Sequence, residues 1–364
     1  MHKCPLFTRS CLANGSHACE QGYTGPLCGA CADSYGITAP LQCRKCMPTG
    51  RQLGLYVLLV SATVVFMAVT VQLTWQDNQQ ASASLRPSDL IKVLIQYLQY
   101  VVILGSMSVP WPPFLRGMFA AAGAVFGASS GEALSLDCLL QQHGASKHKL
   151  PLAVQRQLLL YVAAVASYAC VVLLLLAAHW MTRVVRSTCR RTSSTRSRAT
   201  TTSSRVSWGK ALVAVLVLVI FAYPTLVKGG LSFFACVQID DASKGPHTEY
   251  AALNHPAGYW VSDIQQECFA GWHKQWALGF GIPVVVLFCV GVLLGVWLLL
   301  WRNSSRLGDP DFRQYCGFLY RNYTESKAWW EAVWAVQTAL LTAVSVFHFT
   351  CKPTMQSLVW ACCC

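Results

Sequence analysis

The chain has 364 residues, of which 54% are hydrophobic and only 12% are charged, and its mean hydropathy is +0.41. Soluble domains carry about 25% charged residues, so this chain has too few charges to cover its surface with solvated groups. The composition therefore excludes an ordinary soluble protein and predicts an integral membrane protein surrounded by the lipid bilayer. A net charge of +13 is also typical of nucleic-acid binders, so the placement of the charge must decide between the two classes.

Seven of the 18 cysteines lie in the first 46 residues and define a Cys-rich head, residues 1–50. Two Cys-x2-Cys pairs in the head have the spacing of a zinc site. The longer run Cys19-x2-Gly-Tyr-x-Gly-x2-Cys28-x2-Cys31 resembles laminin-type EGF modules, in which disulfides replace a core too small to hold the module. We favour disulfides over zinc. The candidates are Cys19, Cys28, Cys31, Cys43 and Cys46.

A glycosylation sequon at Asn14 also favours an extracellular head, because only a luminal or extracellular asparagine receives a glycan. No apolar leader precedes the head, and its number of cysteines is odd. Both features predict either that the chain is part of a longer protein with a larger ectodomain or that its start codon is placed too late.

Six stretches of about 20 mostly apolar residues are long enough to cross a hydrocarbon core of ~30 Å. The prolines from Pro110 end the second stretch, and Pro224 predicts a kink in the fourth. Segment 114–136 is rich in Gly, Ala and Ser, and we expect it to lie outside the bilayer or to dip into it. The predicted spans of this membrane domain, residues 51–364, lie near 53–73, 90–109, 158–181, 211–234, 276–301 and 330–349.

The charges between the spans predict the orientation. Loop 182–210 contains eight basic residues and no acid, and 302–331 contains five more basic residues, whereas 236–275 has two lysines against five acids. By the positive-inside rule the first two loops are cytoplasmic and the third is outside, which places the head outside after three spans. Arg44, Lys45 and Arg51 favour the opposite placement of the head when the first span is considered alone.

Loop 182–210 is a Ser/Thr-rich basic segment without an aromatic platform or a nucleic-acid-binding motif, so nucleic acid is excluded as its partner. Anionic lipids of the inner leaflet attract such a segment by ~1 kcal/mol per basic residue. We therefore predict inner-leaflet lipids as its partner and a solvated linker as its structure.

Two spans each present a stripe of polar residues on one helical face. Lys92, Gln96 and Gln99 follow helical spacing on the second span, with Lys92 able to extend to the inner interface. Such stripes either line a path for ions or bind a neighbouring helix, and we favour hydrogen bonds between helices for the second span. The stripe of the sixth span, with its acid predicted at the cytoplasmic rim, consists of Glu331, Thr338, Thr342 and Ser345.

The remaining cysteines are assigned by their predicted side of the membrane. Cys236 and Cys268 flank the outer loop between the fourth and fifth spans, and we expect a disulfide there. Cys138 is also predicted outside and is expected to pair with Cys351 or with the head. Cys170 lies inside the third span and is expected to be a buried thiol.

We find no sequence basis for an enzyme or a cofactor site. Gly127-Ala-Ser129-Ser-Gly131 matches the spacing of a nucleophile elbow, but that motif requires a strand before it and a helix after it. The surrounding Gly/Ala/Ser-rich stretch shows no strand pattern, so the match follows from composition.

Five runs of the chain carry a resemblance to a known family: Cys19–Cys46, Ile91–Leu140, Phe221–Lys228, Glu267–His273 and Tyr315–Arg321. In these runs, and over most of its length, the chain resembles algal and protist membrane proteins that have large Cys-rich, EGF-like ectodomains and a TRP-like transmembrane region. The resemblance implies an ion channel or transporter, and it implies that spans beyond the sixth are missing here.

The sequence therefore predicts an all-α transmembrane helical bundle of about six spans with a small N-terminal disulfide-rich, EGF-like module. We expect a TRP-like channel or transporter domain for cations in the plasma membrane. The alternative is a cell-surface receptor or adhesion protein whose extracellular head binds a protein or glycan ligand.

Overall fold

The structure is a computed structural model of the chain. It describes residues 19–24, 28–39, 42–79, 86–107, 111–115, 117–119, 135–142, 150–189, 201–237 and 257–347.

Within these residues, six helices are long and apolar enough to cross a membrane, which confirms the predicted helical membrane bundle at this level. They are joined by two shorter helices, one at each end of the bundle. The helices are α1 (Thr49–Gln79), α2 (Pro87–Gly105), α3 (Leu136–Gln142), α4 (Leu152–Cys189), α5 (Thr201–Ser232), α6 (Gly271–Arg302, with π-helical turns at Ala277–Gly281 and Val286–Gly291), α7 (Pro310–Tyr320) and α8 (Trp330–Phe347).

At their basic ends the helices continue beyond the third and fourth predicted spans, whose apolar stretches end at Ala178 and begin at Gly209. Helix α4 continues to Cys189 and α5 already begins at Thr201, so much of the expected linker 182–210 is helical. Hydropathy falls at the first arginine, but helical hydrogen bonds do not require apolar side chains, and arginine is a good helix former. Residues 190–200 lie outside the described part of the chain.

The second span begins and ends a few residues earlier than predicted, at Pro87 and Gly105 instead of 90 and 109. Helix α2 ends at Gly105, and the Ser106 backbone N–H donates to Val102 O at 3.0 Å while its hydroxyl donates to Ile103 O at 2.7 Å. These bonds satisfy the last carbonyls of the helix. The helix therefore ends before the proline segment.

Contacts between neighbouring helices show how the spans alternate. The Gln157 amide donates to Ser232 Oγ and the Tyr161 hydroxyl to Leu226 O, so α4 and α5 are antiparallel. In contrast, Lys92 and Tyr100 of α2 contact Glu331 and Thr338 of α8 in the same order, so these two helices are parallel. We call the end of the bundle that carries the head the head end. The opposite end, where Lys92 and Glu331 lie, is the far end.

The largest apolar core lies in the half of the bundle nearer the far end. Helices α1, α4 and α5 contribute to it, and Phe318 of α7 covers it from the far end. β-Branched residues are frequent among its fully buried members, which include Met67, Val71, Val171, Val213 and Val217.

The described part of the head, from Cys19 onward, contains two antiparallel pairs of strands, and its five cysteines all form disulfides. Cys19 is joined to Cys28 and Cys31 to Cys43. The last cysteine of the head, Cys46, is joined to Cys138 of α3, with 5.7 Å between their Cα atoms. All four cysteines of the zinc interpretation are therefore consumed by disulfides, and that interpretation is wrong for this structure. The strands are β1 (Tyr23–Thr24), β2 (Ala30–Cys31), β3 (Tyr35–Ala39) and β4 (Gln42–Lys45).

The head packs directly on the bundle. Gly36 lies so close to Ser135 and Cys138 that a Cβ atom at this position would collide with both side chains. Ser135 Oγ donates to Ile37 O, and the Ile37 N–H donates to Asp137 Oδ2 at 3.2 Å. Segment 135–138 therefore holds the head against the head end of the bundle.

A small antiparallel sheet covers the neighbouring part of the head end. It contains β5 (Cys236–Val237), β6 (Tyr259–Trp260) and β7 (Asp263–Glu267), in that order. The buried Trp260 indole donates to Ser232 O at 2.8 Å and its ring stacks on Phe233. Next to it, the predicted disulfide between Cys236 and Cys268 is present, with 6.1 Å between the Cα atoms.

Candidate functional site

A buried ion pair joins α2 to α8 at the far end. Lys92 Nζ lies 2.9 Å from Glu331 Oε2, and the two side chains are 3% and 6% exposed. Lys92 Nζ also donates to Phe318 O at 2.8 Å and Leu319 O at 3.4 Å, the last carbonyls of α7. An ammonium has three donors, so all of its hydrogen-bonding capacity is used. Lys92 therefore does not extend to the membrane interface, and Glu331 is buried rather than placed at a solvated rim.

Tyr323 supports the same pair from the loop after α7. Its hydroxyl donates to Glu331 Oε2 at 3.3 Å. Burial and the Glu331 carboxylate both raise the pKa of Tyr323, so its hydroxyl keeps the proton that it donates. Glu331 thus has two donors, one charged and one neutral.

A second ionic contact lies beside the first. The Arg321 guanidinium pairs with Asp89, and it also donates to Asn78 Oδ1 and to Ser88 Oγ, both at 2.7 Å. Asp77 accepts the Ser88 backbone N–H at 3.0 Å. We call these groups, together with Lys92 and Glu331, the far-end ion cluster, and they connect α1 and α2 to α7 and α8.

Gln99 has a role that the sequence stripe did not reveal. Pro224 of α5 has no N–H, so the carbonyl four residues earlier, Ile220 O, loses its helical partner. The Gln99 amide donates to Ile220 O at 3.3 Å and to Phe221 O at 2.9 Å. Gln99 therefore replaces the hydrogen bond that the proline removes. Gln96 is half-buried and shows no hydrogen bond among the described residues.

The hydroxyl stripe of α8 faces the inside of the bundle. Thr338, Thr342 and Ser345 are all buried, and each hydroxyl donates to a carbonyl of its own helix at 2.7–2.9 Å. Thr338 also contacts the hydroxyl of Tyr100 at 3.3 Å. From Glu331 to Ser345 the stripe runs about 21 Å along the helix at 1.5 Å per residue. In this structure the hydroxyls are packed and bonded rather than facing open solvent.

A partly enclosed cavity of about 520 Å³ lies at the head end. Its roof consists of Gly29, Ala30 and Cys31 of the head and of residues 261–265 around β7. Helices α1, α4 and α5 form its walls as deep as Leu59, Leu160 and Thr225. These positions lie about 10–15 Å below the head-end termini of their helices at 1.5 Å per residue. The cavity therefore reaches well into the apolar part of the bundle.

Four charged residues line this cavity: Asp137, Arg156, Lys228 and Asp263. Arg156 pairs with Asp137 at 3.2 Å. Burial raises the pKa of Asp263, against an opposing influence of Arg156. Lys228 belongs to α5 and has no hydrogen bond or ion pair among the residues that the structure describes.

The cavity connects to the stripe through Ser345, which belongs to both. Sequence reasoning identified the stripe but missed the cavity charges. Lys228 had a visible signal, because a lone charge inside an apolar span marks a functional position in membrane proteins. Asp137 and Arg156 gave no such signal in the sequence, because each lies near the end of a helix, where charges are common.

The remaining predictions concern single cysteines, the glycosylation sequon and segment 114–136. Cys170 is exposed on the outer surface of the bundle, so the prediction of a buried thiol is wrong. The alternatives for Cys138 are decided in favour of the head, since it pairs with Cys46. The sequon at Asn14, most of segment 114–136 and Cys351 lie outside the described residues.

Comparison with protein-family models, with curated proteins and with solved structures finds no match to the chain, so its function is argued from the geometry above.

Proposed function

We propose that the protein is a membrane channel or transporter whose substrate enters the cavity at the head end, and whose passage is closed at the far end by the Lys92–Glu331 pair. The observation that carries this proposal is the continuity of the polar groups. Ser345 lines the cavity, and the stripe that it begins continues through Thr342 and Thr338 to Glu331.

The far-end pair has the properties of a gate. Taking two charges out of water costs several kcal/mol per ion, and apolar residues of similar volume often give equal or greater stability. A buried pair between two spans is therefore better explained by a need to separate and re-form than by stability alone. Lys92 and Glu331 lie on different helices, so a small displacement of α8 relative to α2 separates them.

The proposed setting follows from the predicted orientation. We place the head outside the plasma membrane and the far end in the cytoplasm, which is where Arg302, Arg306, Arg313 and Lys327 then lie. The two hairpins and their disulfides support an EGF-like identity for the head. The resemblance to TRP-like membrane regions agrees with a transport function, and attraction of anionic inner-leaflet lipids to the basic segment 182–210 agrees with the same orientation.

One observation favours a second candidate, a cell-surface receptor. The head forms part of the cavity roof and is bonded covalently to α3 through Cys46 and Cys138. A protein or glycan bound to the head would therefore act directly on the bundle. A receptor needs the cavity and the head but does not need the hydroxyl stripe.

The stripe therefore provides the test. The purified full chain is reconstituted in liposomes, and currents are recorded under gradients of K⁺, Na⁺, Ca²⁺ and a small carboxylate. Thr338→Val and Thr342→Val remove hydroxyls at constant shape, and we expect the double variant to lose about 30-fold in flux, because each of the two lost polar contacts is worth ~1 kcal/mol. Thr63→Val is the matched control, since its hydroxyl also donates to its own helix but lies on α1.

Two results would contradict the proposal. If the folded wild-type chain moves none of these solutes, transport is excluded and the receptor candidate remains. If wild-type flux is measured but the double valine variant retains it, the stripe is only a packing surface and the path lies elsewhere.

A further inference from the structure

We propose that the head-end cavity binds an organic anion, a molecule with a carboxylate on an apolar body, and that Lys228 binds the carboxylate. This inference rests on the proposed function, because it names the substrate class of the same cavity. It is tested by binding rather than by flux, so the two proposals can fail separately.

The position of Lys228 is unusual for a lysine in a membrane span. It lies four residues before the last residue of α5, about 6 Å below the head end at 1.5 Å per residue. Lysines at such depths normally extend toward the membrane interface. Here the sheet β5–β7 and the head cover that end of the bundle, and the exposed surface of Lys228 faces the cavity.

Lys92 and Lys228 have different surroundings inside the bundle. Lys92 is 3% exposed and has a carboxylate and two carbonyls around its ammonium. Lys228 is exposed to the cavity and has no such partner among the described residues. An ammonium in a partly enclosed, largely apolar space is strongly stabilised by an anion, because Coulomb attraction there is stronger than in water.

The other charges of the cavity do not neutralise Lys228. Asp137 pairs with Arg156 rather than with Lys228: its Oδ2 accepts from Arg156 and from the Ile37 N–H, both at 3.2 Å, while its buried Oδ1 has no hydrogen bond among the described residues. Asp263 is the remaining carboxylate; its Oδ1 accepts the Gln265 backbone N–H at 3.2 Å, and it forms no ion pair with Lys228 among the described residues. Within the described part of the chain, Lys228 therefore faces the cavity without a bonded counter-ion.

The remaining residues of the cavity wall favour a ligand whose part away from the carboxylate is apolar. Leu152, Leu160, Ile264 and Val346 line it, so most of a bound molecule would contact apolar side chains. Thr225 lies three residues before Lys228, about one helical turn deeper, and its hydroxyl can donate to the second carboxylate oxygen. A volume of about 520 Å³ lies within the range of roughly 300–1,000 Å³ that small-molecule sites occupy.

The test uses three probes of the same shape: 4-phenylbutyrate, 4-phenyl-1-butanol and 4-phenylbutylamine. Their affinities for the full chain in lipid nanodiscs are measured by calorimetry, with empty nanodiscs as the blank for partition into lipid. We expect the carboxylate to bind at least about tenfold more tightly than the alcohol, because a hydrogen bond between two charged groups is stronger than one to a neutral hydroxyl. The amine should bind most weakly. This comparison needs no variant and is unaffected by any folding defect.

Variants then assign the effect to one residue. Lys228→Met should lower the affinity for the carboxylate to that for the alcohol and leave the alcohol unchanged, whereas Lys228→Arg should retain the preference. Lys274→Met is the matched control, because Lys274 is exposed at the same end on α6 but does not line the cavity.

The outcomes separate the proposals. Equal binding of carboxylate and alcohol, tighter binding of the amine, or an unchanged carboxylate affinity in Lys228→Met each overturns the assignment of Lys228. Binding of the carboxylate without any flux in liposomes supports the anion site and removes the transport function. Flux without binding that depends on Lys228 removes the anion site alone.

Discussion

The buried Lys92–Glu331 pair makes a quantitative prediction about stability. Lys92→Met leaves the Glu331 carboxylate with only the Tyr323 hydroxyl as a donor, and it also frees the carbonyls of Phe318 and Leu319. Breaking a buried pair in this way costs about 3–5 kcal/mol. Glu331→Gln should cost less, about 2–3 kcal/mol, because the amide oxygen can still accept from the ammonium, which also keeps both carbonyls.

The double variant should be much less destabilised than the sum of the two single variants, because it buries no unpaired charge. We expect a coupling energy on the order of 2 kcal/mol or more for two groups in direct contact. The free energy of unfolding is measured for all four proteins in bicelles by steric trapping. Lys327→Met is the control, since Lys327 is exposed shortly before α8, and it should change stability by less than about 0.5 kcal/mol.

Additive single-variant costs would refute this reasoning, because they would mean that Lys92 and Glu331 do not interact in the folded protein. A Lys92→Met cost no larger than that of the exposed control would refute the burial of the ammonium. Either result would also remove the gate on which the proposed function depends.

Three further predictions concern orientation, the head and α5. Protease added to intact cells should cleave a tag placed after Cys46 but not one placed after Thr195, and the reverse pattern would overturn the orientation. A protease site inserted between α1 and α2 should give two fragments that separate only after reduction, because Cys46 and Cys138 lie on opposite sides of the cut; separation without reduction would exclude this disulfide. Gln99→Leu should cost about 1–3 kcal/mol, and clearly less in a Pro224→Ala background, where an alanine N–H can satisfy the freed carbonyl. If unfolding measurements give an equal cost in both backgrounds, Gln99 does not replace the hydrogen bond that Pro224 removes.

The number of spans could be predicted from the sequence because the signal is local. Each span needs about 20 apolar residues, and the chain contains six such stretches. The ends of α4 and α5 could not be predicted in this way, since hydropathy marks the edge of the hydrocarbon core rather than the end of the helix. The hydrocarbon core therefore determines where the apolar stretch ends, and the backbone hydrogen bonds determine where the helix ends.

The partners of the polar residues could not be predicted because they are distant in sequence. The stripe on α2 was visible from its helical spacing, but Lys92 pairs with a residue 239 positions later and Gln99 with carbonyls more than 120 positions later. Pro224 was recognised as a kink, and the carbonyl that it frees was predictable in principle. Which side chain satisfies that carbonyl depends on the packing of α2 against α5.

The disulfide between Cys46 and Cys138 has a mechanical consequence. The head is attached to the bundle at two points, through the backbone into α1 and through this bond into α3. A pull on the head is therefore divided between two parts of the bundle, and it reaches α4 through the contact of Asp137 with Arg156. Since Tyr56 of α1 and Leu136 of α3 line the cavity, tension carried by either helix acts on the cavity wall. Reduction of this single bond would leave the backbone into α1 as the only covalent path among the described residues for that force.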